Sequence, residues 1–327
     1  MAESLINSIA RLRVIEKKLL TKEFIGRLLS SPGYEEALKL LSEAGYGAGA
    51  AEGGDEIEQL TRAQLEETYA LTDELMPKRF APAAEVFRMK HDMLNVKLLY
   101  KLRMQGEDIE GAKLDFGGVT EEKALKAAIA SGDYSILPKR IALVLEELDV
   151  LTYRNPDPRL VSDKLDAAYI EYARSIRSSF TSEYFGALAD FTNMLGLVRG
   201  FEGGFLPGGE YGPERLEAIR AALANEPEKA PELIKSPLET SLLKEKLREA
   251  FTAYLKDRHA AVLESARDEY LLSLASSGRS DIDSPAPIIG FLLAREREAE
   301  VVRLILTAKR SGIPASALEE RSFKLYG

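Results

Sequence analysis

Residues 188–200 read Leu-Ala-Asp-Phe-Thr-Asn-Met-Leu-Gly-Leu-Val-Arg-Gly, and this stretch sets the frame for the rest of the chain. Asp190 and Asn193 stand three residues apart, which places both side chains on one face of a helix, while Phe191, Met194, Leu195, Leu197 and Val198 cover the other sides. Such a pattern predicts a buried helix that carries a polar pair, with Arg199 closing it. Residues 91–103, HDMLNVKLLYKLR, repeat the arrangement: Asp92 and Asn95 keep the spacing, Lys97 follows, and Lys101 takes the place of Arg199. Residues 294–309, AREREAEVVRLILTAK, form a weaker third copy. There the acidic place falls to Glu298, with Val301 where the asparagine would stand, or to Glu300, with Arg303 in that place. On the first register the acidic residues recur at 92, 190 and 298, intervals of 98 and 108 in a chain of 327. A period of that size predicts related domains and not a short-period solenoid.

Other stretches echo one another in the same order. EEALKLLSEAGY at 35–46 returns as EKALKAAIASGDY at 122–134, and Gly117-Gly118 before one helix returns as Gly208-Gly209 before another. The expected units are residues 1–106, 107–204 and 205–327, with the N-terminal helices free to pack on another unit. Within them the periodicity predicts helices over 5–20, from Thr21 to Ser30, over 34–44, 56–75 and up to Gly106, and then from an N-cap at Thr120. It continues with helices over 138–148, 160–178, the middle copy, and a long helix or broken pair over 242–276. The third copy runs over 288–310, and a last short helix is expected over 315–325. Ala, Leu, Glu, Lys and Arg dominate and β-branched runs are sparse, so the fold class is all-α.

Composition narrows the function. Hydrophobic residues make up 45% of the chain, enough for packed cores, but no uninterrupted run of about 18 apolar residues is present for a bilayer span. The opening MAESLINSIARLR has neither the apolar centre nor the small-residue cleavage site of a signal peptide. Cysteine is absent and the only histidines are His91 and His259, which argues against thiol chemistry, a zinc site and a Ser-His triad. A net charge of −9 without a basic block argues against nucleic acid. A helical enzyme that binds diphosphate through metal-bearing aspartates would need clustered carboxylates on facing helices, whereas each Asp here is followed by Asn. The Asp/Asn pairs are therefore read as ties between neighbouring helices. The alternating Glu296, Glu298, Glu300 and Arg295, Arg297, Arg303 are read as a solvated face. No catalytic residue, cofactor or metal is expected.

The stretch HDMLNVKLLYKLRMQGED resembles the signature of the C subunits of archaeal and bacterial V/A-type ATPases, relatives of the eukaryotic d subunits. LRVIEKKLLTKEFIGRLLSS, EEALKLLSEAGYG, FLPGG at 205–209 and IIGFLLAREREAEVVRLILTAKRSG fall in that family's order along the whole chain. Val301 and the Gly-rich turn at 47–54 depart from the pattern. The resemblance implies three pseudo-threefold-related helical domains forming a funnel around a central cavity. It implies a non-catalytic rotor part that joins a central shaft, made of the D and F subunits, to a membrane proteolipid ring, on the cytoplasmic face and without inserting into the membrane. The competing expectation from the residues alone is a helical-repeat adaptor unrelated to ATPases. Absence of a GxxxxGK[ST] loop fits either reading.

Overall fold

The computed structural model describes residues 5–50, 55–236, 238–314 and Leu318, and among these all regular structure is helical. The α-helices are α1 (Leu5–Ile15), α2 (Lys22–Ser30), α3 (Tyr34–Glu43), α4 (Glu56–Leu75), α5 (Ala81–Gln105), α6 (Glu122–Ser131) and α7 (Lys139–Thr152). They continue with α8 (Pro158–Ser175), α9 (Ser179–Val198), α10 (Pro213–Asn225), α11 (Ala230–Ile234), α12 (Leu242–Asp257), α13 (Ala261–Ser277) and α14 (Ala286–Arg310).

Local chemistry explains most boundaries. The Thr21 hydroxyl accepts the Phe24 N–H at 3.1 Å and starts α2, while the Asp55 carboxylate accepts the Ile57 N–H at 3.0 Å and starts α4. Asp157 does the same for α8, with Pro158 as the first helical residue, where a missing N–H costs nothing. Arg258 ends α12 in the left-handed region at φ 58°, so the sequence between 242 and 276 forms a broken pair.

Two expectations are corrected. The first helix ends at Ile15 and gives way to a single 3-10 turn over Glu16–Lys18, because the backbone polar groups of Lys18 and Leu20 bond to α14 and cannot serve a helix. Thr120 does not cap α6: Glu121 holds that position and the Thr120 N–H donates to Asp92. The short helix expected over 315–325 lies outside the described residues, as does 51–54 of the Gly-rich turn.

The chain divides into two compact units, residues 1–84 with 272–327 and residues 85–271. In the first, α4 packs along α14, and one apolar cluster gathers Ile25 and Leu28 of α2, Ala37 and Leu41 of α3, Ile57 of α4 and Val301, Val302, Ile305 and Leu306 of α14. Lys309 of α14 donates to the carbonyls of Leu29 and Ser31 at 3.0 and 2.6 Å, which satisfies the end of α2. In the second, Phe87, Tyr169, Phe180, Tyr184 and Phe185 form a tilted and edge-to-face aromatic cluster. Nearby, Asp149 of α7 accepts from the Tyr100 and Tyr134 hydroxyls at 2.9 and 2.8 Å and pairs with Arg103, tying α5 and the end of α6 to α7.

Candidate functional site: three carboxylate clasps

Asp92 of α5 is buried, with 1% exposure, and its carboxylate accepts two backbone bonds: from the Val119 N–H at 2.7 Å and the Thr120 N–H at 3.0 Å. One turn along, the Asn95 amide donates to the Asp115 carbonyl at 2.9 Å and accepts the Asp115 N–H at 2.7 Å. Arg88, one turn earlier, donates to the carbonyls of Gly117 and Gly118, both at 3.1 Å. The loop must come very close to do this. A Cβ on Gly118 would lie 2.5 Å from Asp92 Oδ1, and Gly117 turns the chain at φ 104°.

The middle copy repeats the arrangement on α9. Asp190, fully buried, accepts the Glu210 N–H at 2.7 Å and the Tyr211 N–H at 3.3 Å. The Asn193 amide donates to the Leu206 carbonyl at 3.0 Å and accepts the Leu206 N–H at 2.8 Å. Here a Cβ on Gly209 would sit only 1.8 Å from Asp190 Oδ1. The residue four before Asp190 is Gly186, and the guanidinium beside it comes from Arg174 of α8. A Cβ on Gly186 would meet Arg174 Nη1 at 2.5 Å, and one on Gly208 would meet its Cδ at 2.4 Å.

In the third copy, Glu298 of α14 accepts the Leu20 N–H and pairs with Arg295 Nη1 at 2.6 Å, while Arg295 Nη2 donates to the Lys18 carbonyl at 3.2 Å. The acidic place therefore belongs to Glu298; Glu300 is exposed and pairs with Arg297 at 3.1 Å. Arg303 reaches Glu58 at 3.0 Å and holds no loop carbonyl, and Val301 fills the asparagine position with a buried apolar side chain. Lys17-Lys18 stand where the other two copies have the glycine pair, and a glutamate, one methylene longer than aspartate, supplies the carboxylate. Burial of Arg295, Glu296 and Glu298 at 5%, 6% and 2% exposure corrects the reading of this run as a solvated face, which Arg297, Glu300 and Arg303 still fit.

One register unites the three. The held N–H always belongs to the residue two before the next helix: Thr120 before α6 at Glu122, Tyr211 before α10 at Pro213, Leu20 before α2 at Lys22. Each carboxylate thus satisfies a donor outside a helix start and places negative charge at its positive end. Burial is the largest influence on all three acids and raises their pKa, for Asp190 to about 7, against the opposing pull of the backbone bonds. With both oxygens engaged, these groups are built to fix loops, and among the described residues no cluster of three or more potential metal ligands forms.

The basic members of the motif do not join the clasps. Lys97 pairs with Asp166, Lys101 donates to Ser162 at 2.7 Å and Arg199 pairs with Glu264. Beside the middle clasp lies a cleft of ≈ 870 Å³ lined by Arg159, Asp163, Asn193, Phe201, Phe205 and Leu206 among others, with the Arg159 guanidinium 4.4 Å from the Phe201 ring centre. Sequence reading missed Arg88 and Arg174 and placed Arg295 on a solvated face; Arg174 donates to the Ser182 carbonyl at 2.9 Å and lies against Gly208, and the repeated glycine pairs were the available signal for the first two loops.

A match to the family described as ATP synthase (C/AC39) subunit covers residues 8–321. The chain belongs to that family. Its relatives include the C subunit of a V-type ATP synthase from Deinococcus radiodurans, 25% identical over 94% of this chain and 88% of the relative. The C subunit of an A-type ATP synthase from Methanocaldococcus jannaschii is 24% identical over 92% and 81%. The C subunit of a V-type sodium ATPase from Enterococcus hirae is 22% identical over 76% and 78%. Family membership sets aside an adaptor unrelated to ATPases. Among the described residues no helix is long and apolar enough to cross a membrane.

Proposed function

We propose that this chain is a component of a V/A-type ATPase and, more finely, its non-catalytic rotor coupling: it joins the D and F subunits of the central shaft to the membrane proteolipid ring during ion transport or ATP synthesis. The observation that carries the reading is the family match over residues 8–321, together with relatives named as C subunits that align along most of their own length. On this reading the chain is three pseudo-equivalent helical units, 1–106, 107–204 and 205–327, forming a funnel. It sits at the cytoplasmic face, held through the ring.

The clasps suit such a part. Torque passing from a shaft to a ring of different symmetry is lost wherever the connector yields, and close-packed helices with pinned connections yield little. Three buried carboxylates fix the entry of three helices, which stiffens the joints where a helical protein is otherwise softest.

The test is reconstitution from purified components. Tagged chain is expected to retain the D–F pair and, separately, the detergent-solubilised proteolipid ring. Retention of neither would refute the coupling role, while retention of one alone would reduce it to a shaft cap or a ring cap.

A further inference from the structure

The three clasp helices end alike but not at the same distance. Gly106, Gly200 and Gly312 close them in the left-handed region, at φ 72°, 70° and 68°. Each closure carries the same pair of bonds. Gly106 and Glu107 donate to the carbonyls of Arg103 and Leu102, Gly200 and Phe201 to those of Leu197 and Gly196, and Gly312 and Ile313 to those of Lys309 and Ala308. Gly106 and Gly312 stand fourteen residues beyond Asp92 and Glu298, but Gly200 stands only ten beyond Asp190. The middle helix is therefore short by four residues, about one turn. The cleft of ≈ 870 Å³ opens at this shortened end, lined by Leu195 and Leu197 of α9, by Gly200 and Phe201 of its cap and by Leu160 and Asp163 of α8.

Most charges on that lining are already matched. Lys164, Asp166, Arg199 and Arg267 pair with Glu147, Lys97, Glu264 and Asp268. Arg159 and Asp163, one turn apart on α8, make no ion pair or side-chain hydrogen bond among the described residues. The Arg159 guanidinium lies over the Phe201 ring, which leaves the half-buried Asp163 carboxylate without a cation. A Cβ on Gly203 would lie 3.1 Å from Asp163 Oδ2, so the loop after α9 stands against this carboxylate without donating to it.

We propose that this cleft receives one turn of a helix from the central shaft, seated where α9 stops short, with a lysine or arginine of that helix on Asp163. The inference rests on the coupling role proposed above and adds to it the place and chemistry of the contact. An apolar wall facing water favours an apolar occupant, and a carboxylate set into it favours one basic side chain whose stem packs along that wall. The same carboxylate repels an acidic partner. A recess takes a projecting end, which an axial shaft presents and the face of a ring does not.

The chain has no cysteine, so Thr192→Cys, at an exposed residue of the cleft, gives a single attachment point for a short photoactivated cross-linker. With the purified D–F pair it is expected to give a cross-linked product. Asp163→Lys is expected to weaken binding of the pair about tenfold or more, and Asp163→Asn, which keeps the shape, by less. If the lysine variant does not fold, the asparagine variant carries the test. Binding of the pair with no cross-link from position 192, or with an affinity unchanged in the folded Asp163 variants, overturns the inference and leaves the coupling role standing. A cross-link to the proteolipid ring in place of the pair overturns it as well. Failure of the unmodified chain to bind the pair at all removes the coupling role itself, and this inference with it.

Discussion

Glu298 accepts a hydrogen bond from the backbone N–H of Leu20, a residue 278 positions earlier in the chain. The last long helix thereby pins the entry to the second, and the first unit is assembled from both ends of the polypeptide. Removing the carboxylate with Glu298→Ala would leave the Leu20 N–H unsatisfied and the buried Arg295 charge unpaired. Denaturant unfolding is expected to show a loss of about 3–5 kcal/mol. Glu298→Gln keeps an acceptor and is expected to lose less; equal losses would argue that packing alone matters there.

Gly209 is held to glycine by contact. With its would-be Cβ 1.8 Å from Asp190 Oδ1, Gly209→Ala must push the loop off the carboxylate, at a cost of about 2 kcal/mol or more. Gly118→Ala, at 2.5 Å from Asp92, is expected to cost less. Unfolding midpoints of the two variants check the order, and the reverse order would contradict the geometry.

Replacing Asn193 by Leu removes both bonds to Leu206 and leaves its backbone groups unpaired. The expected loss is about 1–3 kcal/mol. Hydrolysis of ATP by the detached catalytic head is expected to be unaffected, because this chain takes no part in it on the proposed function.

The pH dependence follows from the direction of the shift. Asp190 has an ordinary value of 3.8 and is raised to about 7 in the folded chain, mainly by burial, with Glu210 adding to the rise and Lys244 opposing it. Between these values the folded state binds more protons than the unfolded one. Its stabilising contribution is therefore fully present below about pH 4 and is lost as the pH rises towards 7, by up to about 1.4 kcal/mol per pH unit. Asp92 and Glu298 are raised as well and act in the same direction. Unfolding curves between pH 4.5 and 7.5, chosen to span about this window, are expected to show a shallower decline for Asp190→Asn than for the unmodified chain.

Much of this was legible in the sequence because helical spacing is rigid. Asp92 with Asn95 and Asp190 with Asn193 share a face by geometry, and a doubled glycine ahead of a helix advertises a loop that something must approach closely. The third copy resisted for a physical reason: a glutamate stands in for the aspartate, lysines stand in for the glycine pair, and Val301 drops the asparagine's bonds, so only the carbonyl grip of Arg295, equivalent to that of Arg88 on Gly118, is kept. Arg174 was hidden because it reaches the middle clasp from a different helix, where no spacing rule applies. Thr120 looked like a cap since threonine commonly is one, but its hydroxyl as well as its N–H is committed to Asp92, and side-chain preference carries no record of such distant partners.

The central claim is mechanical and is tested most directly by coupling. In a reconstituted V/A-type complex assembled without this chain, ATP-driven ion transport is expected to be lost while hydrolysis by the catalytic head continues, and adding the chain back should restore transport. Undiminished transport in its absence, or loss of hydrolysis by the isolated head, would contradict the account.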